Sequence, residues 1–219
     1  ALVGADRFAA MFVPDDFEFG TGGALPGLMG GSSIGDAGDM LARGVISRAN
    51  ALAQALGVVP GMPCGEASVR LLAAAPSGLD PEPVAEARRT LRQPGWQRRI
   101  VLIDSASLIK AGDKDQIVVT GSHGALVGGN PAMALQVDGL AAVFSDAGVG
   151  IDGAGITRLP ALDQRRIAGV TVSAASARIG DASSVYEDGV ISYLNETARS
   201  LGAAAGEPLK ARLLAWANI

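Results

Sequence analysis

A lone cysteine, Cys64, is all the thiol chemistry the chain possesses. No intrachain disulfide can form, which excludes a secreted disulfide framework. No apolar stretch reaches the roughly 20 residues needed to cross a bilayer, so no membrane partner is expected. The first segment, ALVGADRFAAMFVPDDFEFG, lacks the positive region and apolar run of a signal peptide. The expected location is cytoplasmic. No basic stripe is present either. Acidic and basic residues are interspersed, net charge is -4, and no nucleic-acid partner is expected. Aromatic residues are scarce, at 4%. The chain shows no repeat of fixed period.

Small and apolar residues are abundant instead. Of 219 residues 48% are hydrophobic, and 30 are glycine. A chain of this length buries a sizeable core without metal or disulfide staples. Residues 1–35 form a Gly-rich arm whose Leu25, Leu28, Met29 and Ile34 are too apolar for a solvated linker. Packing on a partner subunit, in a homo-oligomer, is the expected use.

Residues 36–219 read as a single α/β domain, with a helical part at 36–95 and a sheet part at 96–219. Met40, Leu41, Val45, Ile46, Ala49, Leu52, Ala53 and Leu56 recur at helical spacing from Asp36 to Gly57. A shorter helix is expected from about Glu66 to Ala75. Pro81 and Pro83 start a polar helix that reaches about Arg92. Four short apolar runs follow: 100–103, 117–120, 140–144 and 168–172. Such runs mark strands buried on both faces. Helices are expected at 131–137 and 155–166 between the later ones, the alternation of βαβ units. Only SLIKAGDKDQ separates the first two strands, which leaves their relative direction open. Ser184 and Glu187 fit a capping box for a helix running to about Leu201, and a last helix spans about 208–218. The fold class is three-layer α/β, with a mostly parallel sheet of four or more strands at about 96–175, helices on both faces and an N-terminal helical segment.

Each apolar run leads into a polar, Gly/Ser-rich segment. These are Asp104-Ser105-Ala106-Ser107, Gly121-Ser122-His123-Gly124, Ser145-Asp146-Ala147-Gly148 and Ser173-Ala174-Ala175-Ser176-Ala177-Arg178. In parallel strands all four segments lie on the ligand-binding edge of the sheet. His123 is the only imidazole. As an alternative to catalysis, Gly121 and Gly124 merely make its turn. Asp104 and Asp146 are its candidate partners; an N-cap or Asx-turn is the other use for each. Two mechanisms fit. In one, Ser105 or Ser122 is a nucleophile, His123 the base and an aspartate the orienting group; no G-x-S-x-G elbow accompanies it. In the other, Asp104, His123 and Asp146 hold a divalent metal that activates water. Gly121, Gly124, Ser107, Ser173, Ser176 and Arg178 are candidate ligand contacts. The Arg178 fork suits a carboxylate or phosphate, and a surface pair with Asp181, Glu187 or Asp188 is its other use. Cys64 reads as a buried, inert thiol.

The segment DQIVVTGSHG, residues 115–124, resembles the strand-plus-glycine segment of universal stress proteins, which approaches ATP phosphates in that family. That family's later Gly-Ser pair is replaced here by Gly128-Gly-Asn-Pro131. A strand ending in His-Gly is likewise similar to caspase-like peptidases, but Ser145-Asp146 stands where their cysteine is required. Neither family is assigned. The expected function is an enzyme for a small polar, anionic metabolite, with hydrolysis as its reaction. The alternative is a nucleotide- or phosphate-binding protein without catalysis that uses the Gly121–Gly129 backbone as an anion nest.

Overall fold

A computed structural model describes residues 11–12, 36–74 and 85–219. The Gly-rich arm, apart from a two-residue strand, and the Pro81–Pro83 helix start lie outside the described residues. The chain divides into two compact units. The first holds residues 1–84 with 150–152, and the second holds 85–149 with 153–219.

In the first unit β1 (Met11–Phe12) pairs antiparallel with β2 (Arg48–Ala49). Three short helices accompany them: α1 (Ala37–Arg43), α2 (Ala51–Ala55) and α3 (Cys64–Leu71). The continuous helix expected over 36–57 is therefore interrupted. Ile46 both donates to Met62 O and accepts from Gly61 N, so this stretch is extended. Asn50 then caps α2 through a bond from Ala53 N. Ile46, Ala53, Val58, Cys64 and Ala67 form this unit's small core, and Cys64 is inside it.

The second unit carries a six-stranded sheet among the described residues, in the order β3-β4-β5-β6-β7-β8. Its strands are β3 (Arg88–Leu91), β4 (Ile100–Ile103), β5 (Ile117–His123), β6 (Ala141–Ser145), β7 (Ala168–Val172) and β8 (Ile191–Leu194). The inner four are parallel, and the two edge strands are antiparallel to their neighbours. The direction left open by the sequence is thus settled: β4 and β5 are parallel, joined through two 3₁₀ turns rather than a helix.

Sequence order equals spatial order in the parallel part. Right-handed crossovers then all fall on one face. Ile109, Ala134, Leu135, Ala161 and Leu162, which come from the three connections, do pack together on one side of the sheet, against Val101, Ile103, Val118, Ala142 and Phe144. The other face, with Ile100, Leu102, Val119, Val143 and Val170, is covered by the C-terminal segment. This cover consists of α5 (Ala182–Asp188) and α7 (Leu209–Trp216), which supply Val185, Leu209, Leu213 and Trp216. These are the three layers, and they explain why the strand runs are apolar without alternation.

Several local expectations give way to tertiary demands. Residues 88–91 are an edge strand, not a helix: Asp104 accepts from Ala87 N, and the Arg88 fork is bidentate to buried Asp113. The helix expected from Ser184 to Leu201 is three elements. Its N-cap is Asp181, which accepts from Ser184 N. Gly189 ends it, where a Cβ would meet Val185 O at 2.3 Å. Ile191-Ser-Tyr-Leu194 then suits a strand and pairs with β7, and α6 (Glu196–Ser200) follows. The stretch at 155–166 is a 3₁₀ segment followed by α4 (Arg158–Gln164). The helix at 131–137 shrinks to one 3₁₀ turn, Pro131–Met133.

Asn195 shows how tightly the β7–β8 end is fixed. Its Oδ1 accepts from Gly169 N and Ala198 N, while its Nδ2 donates to Ile167 O and Leu159 O. Removing the amide leaves these buried groups unpaired. Asn195→Ala is expected to cost about 3 kcal/mol, read as a shift of the urea midpoint; a loss below about 0.5 kcal/mol would contradict this network.

Candidate functional site

Beyond the C-terminal ends of β4 and β5 the crossover layer leaves a cleft of about 260 Å³. Its polar lining is Ser105, Ser107, Ser122, His123, Gln136 and Arg158. Local chemistry fixes the hydroxyls. Ser105 caps the turn after β4 by accepting from Ser107 N at 3.3 Å, and the two Oγ atoms are 2.8 Å apart. Ser122 Oγ accepts from Ala106 N at 2.9 Å. Its hydroxyl proton has no protein acceptor among the described residues.

His123 reaches the cleft through an irregularity in β5. Strict alternation would place it on the face of Val119, which is the α5–α7 face. The β5–β6 register shifts between Val119 and His123, and His123 pairs with Ser145. The shift re-aims the ring, and His123 lines the cleft with Ile109 and Leu135 of the crossover layer. Its Nδ1 accepts from Ala125 N at 3.2 Å. The neutral ring then carries its proton on Nε2, which faces no protein partner among the described residues. Burial holds the ring's pKa below its ordinary 6.5, and the nearby Arg158 charge acts in the same sense; the Ala125 bond opposes both.

Arg158 is the feature that sequence reasoning missed. It is only 5% exposed. Nε donates to Ala125 O at 3.0 Å, and Nη1 to Met133 O and Ala134 O at 2.9 and 2.7 Å. The guanidinium lies 4.7 Å from the Phe144 ring centre. Burial pulls its pKa down to about 10, so it stays charged at neutral pH. Among the described residues no carboxylate pairs with it, and Nη2 has no acceptor. The available signal was its place on the buried stripe of α4 with Ala161 and Leu162. An arginine one turn from those residues, on an apolar face, is out of character for a solvated helix. Gln136 was also missed, and nothing in its sequence context marks it.

The other expected residues are placed elsewhere. Asp104 accepts from Ala87 N at 2.7 Å and Ala182 N at 3.1 Å, which ties β3 and the first turn of α5 to the end of β4. Buried Asp146 accepts from Gly148 N and Ala174 N, both at 2.9 Å, in an Asx-turn that joins the loops after β6 and β7. Neither carboxylate bonds His123. Ser173 accepts from Ala175 N, and Ser176 donates to Ser173 O and accepts from Val190 N. Arg178 is exposed and paired with Asp181. Gly121 and Gly124 serve close packing: added Cβ atoms would meet Gly180 C at 2.6 Å and Gly155 O at 2.3 Å. Among the described residues no cluster of three or more His, Cys, Asp or Glu side chains forms a metal site.

Part of the Gly121–Gly129 backbone is similarly engaged. The Gly124, Ala125 and Leu126 amides donate to Ser145 O, His123 Nδ1 and Thr157 Oγ1. Comparison with known protein families, curated proteins and solved structures returns no match. No helix among the described residues is long and apolar enough to cross a membrane.

The depressed imidazole has a signed consequence. Below about pH 6.5 the unfolded chain binds a proton that the folded chain refuses. The contribution to stability is therefore intact above that pH and declines as pH falls toward the folded-state value. The single set of ring resonances is expected to titrate below 6.5 in the folded protein; a midpoint at or above 6.5 would contradict the burial described.

Proposed function

We propose that this chain binds a small anionic metabolite in the cleft at the ends of β4 and β5, with Arg158 as its anchor. The observation that carries the reading is a buried guanidinium with no carboxylate beside it. Three carbonyls and the Phe144 ring offset part of the cost of burying this charge, and the open Nη2 provides the place for an anion to offset the rest. His123 Nε2–H and the Ser122 hydroxyl are further donors on the same cleft. A cytoplasmic, homo-oligomeric protein belongs to the same reading, supported by the lone cysteine and the apolar Gly-rich arm.

The second reading is hydrolysis, with Ser105 or Ser122 as nucleophile and His123 as base. Three hydroxyls sharing a cleft with an imidazole favour it. It asks the ring proton to move to Nδ1, breaking the bond from Ala125 N, so that Nε2 can accept.

The sole imidazole reports on the cleft without assignment ambiguity. Titration with acetate and, separately, with inorganic phosphate is followed through the His123 ring resonances. A saturable shift with at least one anion is expected, weakened tenfold or more by Arg158→Met and a few-fold by Ser122→Ala, which keeps the Arg158 carbonyl contacts. Absence of any saturable shift in the wild-type protein would overturn the reading, as would wild-type affinity in folded Arg158→Met. Ester hydrolysis that survives wild-type-like in both Ser105→Ala and Ser122→Ala would remove the serines as nucleophiles.

A further inference from the structure

We infer that the anion is a single carboxylate on a small, partly apolar molecule that carries a second acceptor oxygen, and not a phosphate. This rests on the anion-binding reading above and names the ligand class for that site.

Charge is the first ground. The cleft lining contains one permanent cation, Arg158, and no acidic residue. The imidazole beside it is kept neutral at physiological pH by burial and by that same cation. One negative charge balances the site. A phosphate dianion would leave a second charge buried without a partner, and uncompensated burial is costly.

Donor geometry is the second. Phosphate sites at strand ends use runs of free backbone N–H groups. Here five of the amides at the strand ends beside the cleft are already committed. Ala106 N bonds Ser122 Oγ and Ser107 N bonds Ser105 Oγ. Gly124, Ala125 and Leu126 donate to Ser145 O, His123 Nδ1 and Thr157 Oγ1. Arg158 itself has three of its N–H bonds directed at Ala125, Met133 and Ala134 carbonyls. Of the guanidinium only the Nη2 end is left, which suits one carboxylate rather than three phosphoryl oxygens.

Size and polarity set the rest of the ligand. At about 30 Å³ per water-sized group, the 260 Å³ cleft holds a molecule of roughly nine such groups. Ile109, Val127, Met133 and Leu135 form its apolar wall. The Ser122 hydroxyl and His123 Nε2–H are donors not needed by the carboxylate on Arg158. They call for one more acceptor, a carbonyl or hydroxyl oxygen near the acid group. A short 2-oxo or 2-hydroxy acid has this composition.

The test compares three probes by the His123 resonances in the full chain: 2-oxobutyrate, butyrate and inorganic phosphate. The expected result is saturation by 2-oxobutyrate at a concentration at least tenfold below that for phosphate, with butyrate several-fold weaker than 2-oxobutyrate. Ser122→Ala should narrow the gap between the two acids without abolishing binding. Tighter, Arg158-dependent binding of phosphate would overturn the carboxylate inference and leave the anion reading standing. Equal affinity for 2-oxobutyrate and butyrate would remove the second acceptor oxygen. No saturable shift with any of the three would overturn both the inference and the reading beneath it.

Discussion

The Arg158 guanidinium organises the crossover face of the sheet. Its bonds to Ala125, Met133 and Ala134 carbonyls hold the chain after β5 against the start of α4. They also explain why the turn at Pro131 stays short. In a continuing helix the Met133 and Ala134 carbonyls would accept from amides four residues ahead; here a side chain occupies them. The result is a covering layer of 3₁₀ turns and loops where a regular helix would have sealed the sheet. The cleft exists because that layer is thin. The residue that shapes it is the one whose charge is left open to it.

Topology determines which face carries the site. Ligand crevices in open α/β sheets usually form where the strand order reverses. The parallel strands of this sheet run in sequence order, so no reversal occurs among them. All three crossovers crowd one face, and the C-terminal helices are left to cover the other. Asp104 belongs to that second face through Ala182 N of α5, and His123 is diverted away from it by the shift in β5. Two residues at neighbouring strand ends are thereby separated by the sheet itself.

The apolar runs 100–103, 117–120, 140–144 and 168–172 were legible because burial on both faces leaves no alternation to misread. The short helices were not legible. Val190, Ile191 and Leu194 satisfy helical spacing and strand preference together, and only the open edge of β7 decides between them. Within the site, Ser105, Ser107, Ser122 and His123 follow from their position after apolar runs. Asp104, Asp146 and Arg178 have the same sequence context, but their partners are backbone amides or a neighbouring acid, supplied by loops distant in sequence. Arg158 was hidden for the opposite reason. It lies at the start of a helix rather than the end of a strand, and a search confined to strand ends passes over it.

The partner of His123 Nδ1 separates two kinds of site. A carboxylate there would hold a proton on Nδ1, free Nε2 to accept, and stabilise the imidazolium formed on taking a proton. A backbone N–H does the reverse. It fixes Nδ1 as the acceptor and leaves Nε2–H as a donor. The buried arginine opposes imidazolium formation as well, since a second positive charge would develop beside the first. The Arg158 charge that makes proton abstraction costly makes acceptance of an anion favourable, and the His123 Nε2–H is a second donor on the same cleft. The electrostatics of the cleft thus favour holding a negatively charged, acceptor-rich molecule over generating a nucleophile. In the anion-binding reading the serines beside His123 serve as hydrogen-bond donors rather than nucleophiles.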